Sequence, residues 1–356
     1  MKKRIVRIPE DADLPLIGAI MFGIIDRGTN MLQVRATTVC NLNCIFCSTD
    51  AGPLSKTRVT EYVVRREYLI EWLKEVIKYK GSKNIEVFLD SVGETLTYPE
   101  IVDLVQDIWE IKGVRSIGIE TNGTLLTQKL IDELEEANLS RINLSLHAID
   151  EDLAKKLVGS KDYDVKKIMK ICEYVASTKI ELLITPVWIP GINDKEIEKI
   201  IEFSKKINKN KRWPFLGIQK YEVHKYGRKI KGIKTVSWWK FYRKLEEWEK
   251  KFNVKLKIGP RDFGIFKLKP LQKIFKKGQK VKVEIKAPGW MRNQTLGAAN
   301  ERCITVINSN HKPGDLVNTV ILSNKDNLYI AKPFIKTRKI GYMERSIIKE
   351  FAEELR

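Results

Sequence analysis

The chain has 356 residues, 43% of them hydrophobic, enough for one large domain and a smaller one, each with a real core. Its 65 lysines and arginines outnumber 45 aspartates and glutamates, for a formal charge of +20. That balance suits a polyanionic partner, or equally a solvated surface rich in Lys and Glu. Five cysteines, three of them crowded between Cys40 and Cys47, form no even disulfide framework and suit a reducing cytoplasm. The apolar stretch between Asp13 and Asp26 is too short to span a membrane and no small-residue cleavage site follows, so a cytoplasmic protein without membrane contact is expected.

Residues 1–31 read as an N-terminal extension with short strands. Beyond them helix and strand patterns alternate. Helices are expected over 68–79, 98–111, 128–137, 165–177, 195–207 and 237–252. Strands are expected over 85–89, 116–120, 141–146, 181–186 and 216–221. Such alternation implies a parallel sheet with helical crossovers, here an α/β fold of the partial (β/α)6 barrel type over 32–262. Its site should lie at the C-terminal ends of the strands. Residues 263–277 form a basic linker. Short strands at 281–285, 303–307, 316–322 and 327–331, with turn signals at Pro288-Gly289 and Pro313-Gly314-Asp315, suggest a small OB-like β-barrel over 278–335. Residues 336–356 close the chain, with a helix expected over 343–355.

The segment Cys40-Asn41-Leu42-Asn43-Cys44-Ile45-Phe46-Cys47 spaces three thiols as CxxxCxxC. Three thiolates can hold three irons of a [4Fe–4S] cluster and leave the fourth iron without a protein ligand. A zinc site asks for a fourth Cys or His at ligand spacing, and the next histidine is His147. A ferredoxin asks for a fourth nearby cysteine. Only Cys172 and Cys303 remain, so one cluster is expected. Cys172 shares an apolar helical row with Ile168, Ile171 and Val175 and reads as a buried core residue. Cys303 opens a strand and also reads as structural.

This loop resembles that of the radical S-adenosylmethionine (SAM) superfamily, and the resemblance continues at later strand ends, over about residues 32–225. It implies SAM as a second cofactor, chelated to the open iron, and an electron donor such as ferredoxin or flavodoxin. Gly93-Glu94 looks like the motif that meets the SAM amino group; a carboxylate suits an ammonium there. Val92 departs from the family's first glycine. Thr121 and Asn122, before Gly123, resemble the third-strand Thr-Asn-Gly turn. Ser145 resembles the polar residue that contacts ribose or carboxylate. Thr185 and Val187 stand where the family flanks adenine, and Phe46 and Ser48 would lie near it. His147 reads as a general acid or base at the mouth, or as a supporting histidine. His224, after the sixth strand, is a candidate for substrate contact.

Between Lys205 and Arg292, basic residues alternate with aromatic ones. Lysine and arginine neutralise phosphates, and aromatic faces stack unpaired bases. Lys225, Arg228, Lys229 and Lys231 are the candidates for RNA contact, whereas at least one of Trp238 and Trp239 is expected in a helix core. The segment 278–334 resembles a TRAM domain, a small RNA-binding barrel. The whole chain looks like archaeal radical SAM proteins that carry such a barrel. The expectation is an enzyme that cleaves SAM to a 5′-deoxyadenosyl radical and modifies RNA, with tRNA as the leading candidate, through base methylation or related C–H functionalisation. The alternatives are a radical SAM enzyme acting on a protein or small metabolite, and a non-catalytic RNA-binding iron–sulfur protein.

Overall fold

The computed structural model describes residues 3–81 and 83–334. Strands β1 (Arg4–Ile8), β2 (Gly23–Asp26) and β3 (Met31–Arg35) precede the cysteine loop, and β4 (Thr60–Val64) follows it. β1 pairs in parallel with β4, and β2 lies antiparallel along β3. The first residues are therefore woven into the main domain. The chain then alternates through α1 (Arg66–Lys80), β5 (Ile85–Leu89), α2 (Ile101–Trp109), β6 (Val114–Thr121), α3 (Gln128–Glu136), β7 (Arg141–Leu144), α4 (Glu151–Val158), α5 (Val165–Val175) and β8 (Glu181–Ile184). The main sheet runs β2-β3-β5-β6-β7-β8, parallel from β3 onward. Strands such as Ile85–Leu89 are buried on both faces, as helices on one side and a filled interior on the other require, and the one charged residue there, Glu86, is paired with buried Arg141.

The sixth unit is irregular. β9 (Val187–Trp188), α6 (Asp194–Ile207), β10 (Gln219–Lys220) and α7 (Trp238–Phe252) complete the domain. Pro186 carries no amide hydrogen and separates β8 from β9, so the strand expected over 181–186 is broken. Leu216 bridges Ile184 in parallel, and β10 pairs in parallel with β9. The curved sheet thus carries six parallel positions, in a partial barrel.

The sequence-based reading passes over helix α4. Its signals are short-range: the Asp150 side chain caps it by accepting from the Leu153 amide, and Gly159 ends it with φ +65°. A 3-10 turn at Thr95–Thr97 precedes the helix expected over 98–111, and regular α2 runs only from Ile101 to Trp109.

Beyond the linker, β11 (Lys280–Pro288), β12 (Gln294–Ala299), β13 (Arg302–Ile307), β14 (Leu316–Ser323) and β15 (Ile330–Pro333) close into a barrel of order β11-β12-β13-β15-β14. It has its own core of Val283, Ile285, Ile304, Val306 and Tyr329. It is bonded to the N-terminal segment. Cys303 N–H donates to Ile17 O at 2.8 Å, and Tyr329 N–H to Gly18 O at 2.9 Å. Gly18 sits at φ +125°, where a Cβ would run into the Cys303 carbonyl. The helix expected over 343–355 lies outside the described residues. Among those described, no helix is long and apolar enough to cross a membrane.

A buried ion pair fastens the linker to the main domain. Lys80 Nζ lies 2.8 Å from Asp26 Oδ1, with both side chains fully buried. Lys80 also donates to Lys269 O, and Asp26 Oδ2 accepts from the Leu271 amide at 2.7 Å. Removing one partner leaves an uncompensated buried charge. We expect Lys80→Met to cost about 3–5 kcal/mol in chemical denaturation. We also expect it to speed hydrogen exchange at the Leu271 amide; unchanged exchange there would mean that the pair does not hold the linker.

Candidate active site

At the C-terminal ends of the parallel strands lies a cavity of about 460 Å³. Cys40, Cys44 and Cys47 line it from the loop between β3 and β4, together with Phe46 and Ser48. Gly93, Glu94, Thr121, Asn122, Ser145, His147, Val187 and His224 line it from later strand ends. Thr185 does not; it is buried beside the cavity, with its amide donating to Leu144 O and its hydroxyl without a partner.

Glu94 is 2% exposed and held from three directions. Its Oε1 accepts from Thr121 Oγ1 at 2.7 Å and from the Leu96 amide at 3.0 Å, and its Oε2 from the Asn122 amide at 2.7 Å. Burial pushes its carboxyl above the ordinary value, and these donors oppose that. A carboxylate offers about four lone-pair positions, so capacity remains for one more donor from the cavity. Gly93 has a close-approach reason: a Cβ there would meet the carbonyls of Thr38 and Val39. Asn122 Nδ2 donates to Asn41 Oδ1, so the Thr-Asn-Gly turn also braces the cysteine loop.

Two arginines hold that loop's backbone. Arg58, with a fully buried side chain, donates to Thr49 O at 2.9 Å, Thr38 O at 3.0 Å, Thr49 Oγ1 at 2.8 Å and the Val92 carbonyl. Arg228 donates to Cys44 O at 3.0 Å, Ala51 O at 2.6 Å and Asp50 Oδ1 at 2.8 Å. Its amide bonds Cys47 O at 2.8 Å. Arg228 is thus turned inward, away from the surface role expected for it.

The donor set fits an iron–sulfur cluster. Three half-buried thiols face one cavity, and Cys47 Sγ accepts from the Ala51 amide at 3.2 Å. Burial pushes the Cys40 thiol up to about 11 and Cys44 higher, with thiolate repulsion contributing at both. Cationic irons reverse that balance, because a coordinating thiol is deprotonated outright. Cys172 and Cys303 are both fully buried in the main core, and neither lines the cavity.

His147 lines the cavity in a restricted form. Its Nδ1 accepts from the Val187 amide at 3.1 Å, and its ring meets Phe46 edge-on at 4.7 Å. Burial lowers its pKa to about 4. It is a neutral imidazole that fixes Phe46 and Val187, which favours the supporting reading over the acid–base one.

Sequence reasoning missed Arg35, Asp90 and Glu120. Arg35 pairs with Asp90 through Nε–Oδ1 at 2.9 Å and Nη2–Oδ2 at 2.7 Å. Glu120, at the end of β6, faces the same cavity. The signal available was its place directly before Thr121-Asn122-Gly123.

The fold and the thiol-bearing cavity define a partial-barrel enzyme core built around an iron–sulfur cluster. Residues 34–204 match the model of the radical SAM superfamily, and the chain belongs to that superfamily. Its cofactors are a [4Fe–4S] cluster and SAM. An uncharacterized protein of Methanocaldococcus jannaschii is 44% identical over 93% of this chain and 81% of its own length. The GTP 3′,8-cyclase of Clostridium botulinum is 29% identical over 51% of this chain and 54% of its own. Among solved structures, a radical SAM methyltransferase from Sphaerobacter thermophilus is 17% identical, covering 64% of this chain and 65% of its own at a TM-score of 0.49.

Burial raises the Glu120 carboxyl to about 7; the Asp90 charge adds to this and Arg35 opposes it. Above its ordinary value of 4.5 the unfolded chain releases this proton, while the native protein keeps it up to about 7. The native state therefore binds more protons in that window, and stability falls as pH rises through it. We expect Glu120→Gln to stabilise the cofactor-free protein more near pH 8 than near pH 5, by about 2 kcal/mol. Urea denaturation at the two pH values checks this, and an equal effect at both would contradict the assignment.

Proposed function

We propose that this radical SAM enzyme modifies RNA, with tRNA as the leading candidate. Cys40, Cys44 and Cys47 would hold the cluster, and Glu94 would receive the SAM ammonium group. When bound, the cluster would supply one electron for reductive cleavage of SAM to a 5′-deoxyadenosyl radical able to abstract hydrogen. The chain's own residues do the positioning. Thr121, Asn122 and Leu96 hold Glu94 ready for a charge-assisted hydrogen bond at no further cost in ordering. His147 and Phe46 shape the wall near Val187. Ser145, which lines the cavity, would offer its hydroxyl to the ribose or carboxylate of SAM.

One observation carries the RNA reading. Trp238 and Trp239, for at least one of which a core position is expected from sequence, are 55% and 63% exposed. The buried face of α7 is Phe241, Leu245 and Trp248 instead. Lys220, a cavity residue, places its ammonium 4.9 Å from the Trp238 ring centre, so the aromatic patch runs up to the mouth. Exposed Lys225, Lys229 and Lys231 continue it. Cations beside open aromatic faces suit an unpaired stretch of nucleic acid, whose bases stack while its phosphates pair. The C-terminal barrel, read as a TRAM-like, OB-like module, would hold the rest of the RNA.

A filter-binding titration of the intact holoenzyme with tRNA tests this. Affinity should fall by at least roughly tenfold between about 50 and 200 mM salt. Trp239→Ala should weaken binding by about 1–3 kcal/mol. It should leave SAM cleavage to 5′-deoxyadenosine intact. Binding that ignores both salt and the tryptophan would overturn the RNA reading and turn attention to a protein or small-metabolite substrate.

A further inference from the structure

A second cavity, of about 270 Å³, lies at the opposite end of the parallel sheet. Its walls come from where strands begin: Asn30 before β3, Asn84 before β5, and Arg115 and Ser116 in the first residues of β6. Arg212 and Trp213, from the segment after α6, and Arg261, from the 3-10 turn Pro260–Phe263 that leads into the linker, complete its basic side. Asn30 staples these parts together: its Oδ1 accepts from the Phe266 amide at 2.9 Å, and its Nδ2 donates to Asn84 O at 3.1 Å.

The charge here is unbalanced. Among the described residues Arg115, Arg212 and Arg261 form no ion pair, and Arg115 reaches only Asn84 Oδ1, at 3.5 Å. The nearby acids are already engaged. Glu86 pairs with buried Arg141 at 2.7 Å. Asp262 pairs with Lys255 and accepts from the Gly259 amide at 2.8 Å. Glu181 accepts from the amides of Lys211, Arg212 and Trp213. The Arg212 guanidinium lies 4.1 Å from the Trp213 ring centre and that of Arg141 lies 4.8 Å from it. Like charges are packed about one indole. Burial lowers the Arg212 pKa, the charges of Arg115 and Arg141 lower it further, and Glu86 and Glu181 oppose them.

A second observation is independent of charge. Trp213, which lines the cavity, is 7% exposed, and its Nε1–H has no acceptor. Arg141 stands directly behind the wall residues Glu86, Trp213 and Phe263, is 3% exposed, and leaves Nη1 without a partner. Orphaned buried donors are rare in folded proteins and call for an acceptor. Three guanidinium groups without an ion-pair partner, set with the aromatic rings of Phe263 and Phe266 around one cavity, suit an anion with several oxygens on an organic body.

We propose that this cavity is a phosphate-binding site, sized for the phosphate and sugar of one nucleotide unit. It lies across the barrel from the thiols and goes beyond the RNA reading. The phosphate could come from a free nucleotide or from a phosphodiester in an RNA strand, and the experiment distinguishes these sources.

Isothermal titration of the holoenzyme uses three probes: inorganic phosphate, adenosine monophosphate and a short single-stranded oligouridylate. Saturable binding of a free anion marks a nucleotide site. Saturable binding of the oligonucleotide alone marks a backbone site. In either case Arg212→Ala combined with Arg261→Ala should weaken binding by at least roughly tenfold. The paired Arg→Lys variant, which keeps charge but loses the fork, should recover part of it. SAM cleavage should stay at the wild-type rate in both. No saturable binding of any probe, or binding within about twofold of wild type in the double alanine variant, would overturn the site. The Trp239→Ala result reads the RNA proposal separately, so the two can fail independently.

Discussion

Everything at the thiol-bearing cavity depends on keeping the cysteine loop open without using its thiols. A loop that turns three side chains toward one point leaves many carbonyls unpaired, and a buried unpaired carbonyl is costly. Two guanidinium groups settle this. Arg58 gathers the carbonyls of Thr38, Thr49 and Val92, and so joins the cysteine loop to the Gly93-Glu94 turn. Arg228 gathers those of Cys44 and Ala51 from the other side. Each arginine is itself charge-balanced, by Glu61 and Asp50 respectively. A lysine could not replace either, because no ammonium spans acceptors set in a planar fork.

That division explains what was legible in the sequence. The thiols, Glu94 and the Thr121-Asn122-Gly123 turn sit in short motifs, where spacing along the chain is the geometry. The arginines carry no such mark. Arg228 reaches Cys44 across 184 positions, and in sequence it looks like one of several lysines and arginines beside the mouth. The same blindness affects α7: a helical stripe shows which residues can share a face, but Trp238, Phe241, Leu245 and Trp248 compete for one, and only packing against Trp188 decides in favour of Phe241 and Trp248. The alternation of helix and strand was readable because burial on both faces concentrates apolar residues in the strands. The short α4 and the break at Pro186 were not: α4 has only eight residues, and the break rests on a single proline.

Two carboxylates in the cavity show how environment assigns different behaviour to like groups. Asp90 takes the fork of Arg35 and a third bond, at 3.0 Å, from Gln33. Its charge is thereby satisfied. Glu120 lies near it without such a fork, and burial together with the Asp90 charge favours its proton. Like groups set in such different surroundings can serve different roles, one structural and one responsive to what enters. On that argument Glu120 is the cavity's most adaptable group, able to donate or accept a hydrogen bond near neutral pH.

The C-terminal barrel is part of this support. Trp290, in the turn between β11 and β12, lies over the Arg58 guanidinium at 4.4 Å. Val59 donates to Trp290 O, and Tyr62 Oη donates to Pro288 O at 2.7 Å. The arginine that spans the cysteine loop and the Gly93-Glu94 turn is therefore covered by the barrel itself. A flexible tether would let a substrate held on the barrel sample many distances from the cavity, and that freedom would have to be lost at each encounter. Here the barrel is fixed by the same residues that fix the thiols, together with the Lys80–Asp26 pair under the linker. A substrate bound to the barrel would therefore meet the cavity at a constant distance, set by the constraint that keeps the cysteine loop open.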